Sequence, residues 1–302
     1  MFIREAVIPV RNPFNFGLSL EFLRGFGPMA GEQRIERGAL TKSWIICGQP
    51  FTVTMRQRPM GLACRIASPR AIDPKSEQAI CARASAFTSA EDDLEGFYAI
   101  AKQDSAFAPV AERLRGLHQP KFATPFEAAC WGVINQRIQL AQARAMKAAI
   151  IARWGARGCD AFPEAATLAK ATLAELQATL GNERKARAVW AVSRAFSKVD
   201  ERFLREGPLS EVDAWLHAIH GVGDFTAAFV LYRGLGRAIA LPWGPKFVTA
   251  ARQTYPRATR ATLEKQATAY GSWMGLWSLY LWAATFIRAP HPLTARERWS
   301  AG

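Results

Sequence analysis

The run IHGVGDFTAAFVLYRGLGRAIALPWGPKF, Ile219 to Phe247, gathers residue types that hold anions and lacks those that neutralise cations. Gly221 and Gly223 permit a tight turn, and Thr226 opens a helix behind it, so consecutive backbone N–H groups face outward at a helix start. Glycine suits this place because a phosphate group must come close to the main chain. The carbonyls of such a turn can also face a monovalent cation that bridges to the phosphate. The same spelling fits an ordinary αα-hairpin closed by a glycine C-cap. From Phe225 to Leu263 there is no Asp or Glu, whereas Arg233, Arg237, Lys246, Arg252, Arg257 and Arg260 are all basic.

The charge of the whole chain agrees. Its 302 residues hold 39 Lys+Arg against 25 Asp+Glu, a formal net charge of +14, and half of them are apolar. Basic residues are interleaved with apolar ones, which points to charged folded faces and to nucleic acid as the polyanion they meet. The five cysteines, Cys47, Cys64, Cys81, Cys130 and Cys159, show no C-x-x-C pair and no zinc or iron–sulfur spacing, and read as reduced small hydrophobes. His217 and His220 lie one helical turn apart but make a poor metal site, so no metal is expected. The opening MFIREAVIPV has charges where a signal peptide has its apolar core, and the apolar run WMGLWSLYLWAATFI (Trp273 to Ile287) is short for a bilayer. A cytoplasmic protein with no membrane partner is expected.

The elements that must position the turn come in two textures. Up to about residue 90 the chain is strand-like. SWIICGQPFTVTMRQRPMGLACRIAS (Ser43 to Ser68) has β-branched and aromatic runs broken at Gly-Gln-Pro and Arg-Pro-Met-Gly, with room for one short helix before it. Beyond Ala90 the pattern is helical. Ser89 reads as the N-cap of one helix; Thr124, Pro125 and Glu127 read as a capping box that opens another, with a break near Asn135–Ile138. Further helices are expected at 163–180, 183–196, 210–218, 226–234, 259–270 and 272–287. The fold class is α+β: a small antiparallel sheet domain over 1–90, a helical subdomain over 91–119 and 241–290, a second over 120–240 with a helical hairpin at about 210–234, and a tail over 291–302.

In chain order the blocks P-F-E…I-x-Q, L-G-x-x-R-K-A-R, G-V-G-D-F-T-A and R-G-L-G-R-x-x-A-L-P, ahead of a Trp-rich terminal helix, resemble the helix-hairpin-helix DNA glycosylase superfamily, and within it the 3-methyladenine DNA glycosylase II branch. The resemblance spans roughly Asn12 to Arg288. It implies a monomeric enzyme without cofactor that bends double-stranded DNA, inserts a side chain into the stack and swings one modified base into a pocket. It places the wedge at Arg137 beside Gln136 and the phosphate clamp at Gly221, Gly223 and Thr226, with Lys246 as a further phosphate contact. It also implies an aromatic base pocket from Phe225, Phe229 and Trp282, with Trp243 and Phe14 or Phe16. Bifunctional relatives carry a lysine after the hairpin glycines where this chain has Phe225, so hydrolysis without lyase chemistry is implied.

The departure is as informative as the likeness. The family has an aspartate shortly after A-L-P, where a fixed negative charge stabilises the cationic sugar as the base leaves. Here LPWGPKF puts Trp243, Gly244 and Pro245 there, then Lys246. Three readings stay open. A glycosylase could draw its charge stabilisation from elsewhere, with Asp224 or Lys246 as the catalytic candidates. It could be retuned for a bulky hypermodified phage base, in antiviral defence. Or the chain could bind lesions in DNA without cleaving them.

Overall fold

Strands Phe2–Ile8 (β1), Gln33–Glu36 (β2), Ala39–Ile46 (β3), Gln49–Arg58 (β4) and Gly61–Ser68 (β5) pair antiparallel in the order β1-β5-β4-β3-β2. The computed structural model describes residues 1–237, 241 and 243–287, and for Pro245 and Lys246 the backbone alone. The tail expected at 291–302, with Ala240 and Pro242 of the A-L-P block, lies outside the described residues.

Alternation along the strands makes one apolar face: Phe51, Val53 and Met55 of β4 and Leu62, Cys64 and Ile66 of β5 are buried. Arg37-Gly38 and Cys47-Gly48 each have positive φ at both residues, the mirror-image turn whose twist matches paired strands. The second turn falls one residue before the expected Gly-Gln-Pro break, because Gln49 and Pro50 already sit opposite Ile46 and Ile45. Gly61 has φ +136, and a Cβ there would lie 2.3 Å from the Ile8 carbonyl oxygen, so only glycine fits where β5 crosses the end of β1.

The sheet domain holds more helix than its sequence suggests. Asn15 caps Phe16–Gly25 (α1) by accepting from the Leu18 amide. Pro74–Thr88 (α2) is the unexpected element, started by Asp73 accepting from the Ser76 amide, with Pro74 in its first turn. Its buried face of Ile80, Ala84 and Phe87 lies on the sheet, where Phe87 meets Trp44 with ring centroids 5.9 Å apart. Ser89 is therefore not an N-cap. It closes α2 in the left-handed conformation, φ +53, and its hydroxyl donates to the Gln119 carbonyl.

The rest is helical: Glu95–Gln103 (α3), Ala108–Arg113 (α4), Pro125–Ile134 (α5), Leu140–Trp154 (α6), Ala165–Leu168 (α7), Leu173–Leu180 (α8), Glu183–Phe196 (α9), Glu201–Glu206 (α10), Leu209–His217 (α11), Asp224–Phe229 (α12), Pro245–Thr254 (α13), Arg260–Ala269 (α14) and Met274–Ala283 (α15). A π-helical turn, Val230–Leu235, prolongs α12. No helix among the described residues is long and apolar enough to cross a membrane. Asp104, just after α3, ties α14 to the end of α13. One carboxylate oxygen accepts from the Tyr255 hydroxyl at 2.5 Å, the Gln266 amide at 2.7 Å and the Tyr270 hydroxyl at 3.1 Å.

The sheet domain is joined to the helical core by buried charge. Thr124 caps α5 as expected, but Glu127 completes only half of a capping box: its carboxylate turns inward onto Lys147 of α6 at 2.6 Å. Lys147 also lies 2.5 Å from Glu32, just before β2, and Lys42 of β3 lies 3.5 Å from the other Glu32 oxygen. Burial works to lower the Lys147 pKa, and the two carboxylates overcome it and raise it. At the rim, the Glu164 carboxylate accepts from the Cys47 and Gly48 amides at 2.9 and 2.8 Å, tying a hairpin turn of the sheet to the segment before α7. Lys147→Met leaves the buried Glu127 without its ion-pair partner and Glu32 with Lys42 alone, and costs about 3–5 kcal/mol of stability in a denaturant titration.

Candidate functional site

Between α5 and α6 lies a short loop, 135–139, whose shape is imposed from outside it. Lys185 of α9 is buried, and its ammonium donates to the Ile134 carbonyl and, at 2.8 Å, to the Gln136 carbonyl, satisfying the free end of α5. Gln136 then donates its side-chain amide to the Gly221 carbonyl at 2.9 Å and the Thr226 hydroxyl at 3.1 Å. Arg137 stands at the tip, exposed, with φ +54. A left-handed arginine costs about 1–3 kcal/mol and persists where the surroundings over-determine it. Gln136 is thus a strut toward the hairpin, and Arg137 is the side chain that loop presents.

The hairpin between α11 and α12 is shaped by two different glycine requirements. Gly221 has φ +89, and a Cβ there would lie 2.5 Å from the Ala188 Cβ of α9. Gly223 has ordinary extended backbone and open space around its α-carbon. It stands at the N-cap of α12 without a side-chain cap, so the first amides of that helix face outward. Thr226 is buried against α5, where a Cβ on Gly132 would lie 2.6 Å from its methyl group.

Asp224 is not placed to stabilise a charge in a pocket. Its carboxylate is fully exposed and lies 3.2 Å from Nε2 of His217, whose Nδ1 hydrogen-bonds the Asp213 carbonyl at 2.9 Å. The Asp213 carbonyl first, with the Asp213 and Asp224 carboxylates, pushes the His217 pKa up. Asp224 therefore serves the hairpin, and in bulk water a carboxylate lacks the low dielectric that would make it an effective stabiliser of a cation.

Behind the hairpin runs a track of rings. Phe225 is 49% exposed and stacks on Phe229 with centroids 6.3 Å apart. Phe229 meets Phe122 at 5.6 Å, Phe122 meets Phe26 at 6.0 Å, and Trp282 packs edge-on against both Phe26 and Phe22, at 5.8 and 5.5 Å. Phe225, Phe229 and Trp282 thus belong to one assembly. Phe14 and Phe16 do not: both are buried, Phe14 against His118, while the Phe16 amide donates to Gln57. The rings that reach Trp282 from the sheet domain are Phe22 of α1 and Phe26, the residue that ends it. Trp243 also lies elsewhere, against Phe247 at 5.2 Å, and Phe247 leads on to Trp277.

The expected positive surface is in part turned inward. Arg233 is buried among the rings, and Arg237 donates to the Leu204 and Gly207 carbonyls at 2.9 and 2.6 Å. Arg260 pairs with Glu264 in its own helix. The cation that sequence reading passes over is Arg184, exposed at the start of α9 on the rim shared by Arg137, Gly223 and Phe225. At the corner, Gly244 is the N-cap of α13 with φ −143, no side-chain cap and open space where a Cβ would be. Pro245 follows in the first turn; the Lys246 side chain lies outside the described residues.

No family model matches the chain. A DNA-3-methyladenine glycosylase of Bacillus subtilis (strain 168) is 24% identical over 208 residues, 65% of this chain and 69% of that protein. The chain has the fold of solved DNA glycosylases. The 3-methyladenine DNA glycosylase of Archaeoglobus fulgidus superposes with a TM-score of 0.72 at 18% identity, over 94% of this chain and 100% of that one. An 8-oxoguanine glycosylase/lyase of Clostridium acetobutylicum, solved with double-stranded DNA containing cytosine opposite 8-oxoG, superposes with a TM-score of 0.67 at 17% identity, over 94% and 97% of the two chains. In this glycosylase fold, Lys185 sits inside the quoted L-G-x-x-R-K-A-R block, but only the structure gives it work to do. Lys185→Met strands two carbonyls at the end of α5; amide hydrogen exchange at 135–139 should rise, with a loss of about 1–3 kcal/mol in stability.

Proposed function

We propose that this chain is a monofunctional DNA glycosylase that grips double-stranded DNA, turns one modified nucleotide out of the stack and hydrolyses its N-glycosidic bond. Gln136 carries this reading, because one amide joins the loop that presents Arg137 to the hairpin that presents Gly221, Gly223 and Thr226. Wedge and phosphate clamp then move as one body, with the aromatic track opening beside them at Phe225. The exposed Gly223 end of α12 holds the DNA backbone without reading its sequence, Arg137 fills the vacated stack, and Arg184 adds a phosphate contact. The absence of a lysine at Phe225 supports hydrolysis without strand cleavage. The base is alkylated or otherwise unusual, as in the 3-methyladenine glycosylase II branch. The protein acts in the cytoplasm as a monomer and uses no metal or organic cofactor; a monovalent cation at the hairpin carbonyls would bridge to the clamped phosphate.

A second reading, a lesion binder that does not cut, is favoured by one observation: residues 243–246 carry no carboxylate. Duplexes with single alkylated, deaminated, oxidised or glucosylated bases separate the two, with free base followed by mass spectrometry and abasic sites by heat cleavage. Release of at least one base with the strand left intact is expected. Tight binding with no free base from any duplex would assign the chain to the second class. The corner supplies a gain-of-function arm. Gly244→Asp meets no steric barrier and puts a favoured N-cap residue on α13, so stability should hold or rise by about a few tenths of a kcal/mol. Single-turnover release of the accepted base should rise about 100-fold if that carboxylate reaches the sugar.

A further inference from the structure

Arg233 is 3% exposed, and its Nε, Nη1 and Nη2 atoms have no hydrogen-bond partner among the described residues. A buried guanidinium with no hydrogen bond of ordinary geometry, and only the Tyr232 phenol to offset its burial, is exceptional, since buried polar groups are almost always satisfied. What surrounds it is aromatic: its Cζ lies 4.4 Å from the centre of the Phe26 ring, 5.0 Å from Phe22 and 5.4 Å from Tyr232. Ring faces stabilise the charge but leave the in-plane N–H groups unanswered. Phe22 and Phe26 are the two rings against which Trp282 packs, so the idle donors belong to the same ring assembly that runs from Phe225 to Trp282. The backbone here is a π-helical turn, a form that recurs at functional sites, and Arg233 lies within it. Burial lowers the Arg233 pKa and no carboxylate opposes it; only the neighbouring Tyr232 phenol does.

We propose that Arg233 sets the base class of this glycosylase: its idle N–H groups are answered by carbonyl oxygens of a neutral flipped base, and its charge stabilises that base as it leaves. The inference rests on the glycosylase reading and deepens it. When a neutral base departs, the C1′–N bond breaks with its electron pair going to the base nitrogen. The base leaves as an anion and takes a proton from solvent, while water adds to C1′ and loses one. Negative charge therefore develops on the base side, where a desolvated guanidinium is effective. This moves stabilisation from the sugar, where residues 243–246 hold no acid, to the leaving group. An N3- or N7-methylpurine already carries positive charge and departs neutral, so the same guanidinium repels it on entry and gains nothing from its departure.

Single-turnover rates, expressed as enhancement over spontaneous loss, test this on duplexes carrying hypoxanthine, uracil or 8-oxoguanine against duplexes carrying N3- or N7-methylpurines. The wild-type protein should favour at least one neutral base. Arg233→Met, similar in bulk but uncharged, should lower the enhancement for that base about 100-fold while leaving or raising that for the methylpurines, and Arg233→Lys should recover part of the loss. Equal losses on both classes in a variant that melts like the wild type would make Arg233 a packing residue and overturn the proposal. If Arg233→Met does not fold, the wild-type preference decides alone. Release of methylpurines only would sink this inference and leave the glycosylase standing, whereas release of no base at all would end both.

Discussion

Two hydrogen bonds from one side chain hold the functional face in register. Gln136 reaches from the end of α5 to the Gly221 carbonyl and the Thr226 hydroxyl, and α5 and α12 can approach that closely because Gly132 offers no Cβ to the Thr226 methyl. Lys185 fixes the other side of the same loop by closing the carbonyl end of α5. Everything proposed for the face depends on this coupling. A clamp and a wedge that moved separately would bend DNA without placing one nucleotide at the aromatic track, and productive geometry tolerates little misplacement.

Among the buried cations of the described residues, Lys147, Lys185 and Arg233 are each accommodated differently. Lys147 is matched by two carboxylates and joins the sheet domain to the helical core. Lys185 is matched by carbonyls at a helix end and shapes a loop. Arg233 is matched by rings and the Tyr232 phenol, without a hydrogen bond of ordinary geometry. The first two solutions are complete, as a structural role requires. The third is complete for charge but not for hydrogen bonding, which is the signature of a group awaiting something else. The overall charge of +14 hides this division, because a residue count does not distinguish a cation facing DNA from one enclosed by phenylalanines.

The corner at Trp243-Gly244-Pro245 keeps the backbone of a helix start while lacking a side chain to cap it. An extended N-cap with open space beside it would readily hold an aspartate, so the absence of one there does not follow from steric exclusion. Trp243 and Phe247 carry the corner into the packing around Trp277, away from the Phe225–Trp282 track.

Short-range signals were readable in the sequence. The Thr124-Pro125 start of α5 and the Asn182 start of Glu183–Phe196 rest on interactions within about one helical turn, which residue order alone specifies. The break after Ile134 and the glycine hairpin were legible only as residue types whose shape Lys185 and Ala188 fix from afar. The start signal Asp73-Pro74 was equally present, but the surrounding strand-like texture masked it. What order could not specify was which long-range neighbour each side chain would meet. Phe22 and Phe26, not Phe14 and Phe16, face Trp282; Glu127 turns to Lys147 instead of its cap; Arg233 points into rings and Asp224 into water. Those outcomes depend on how helices distant in sequence pack together, and the tertiary structure alone decided them.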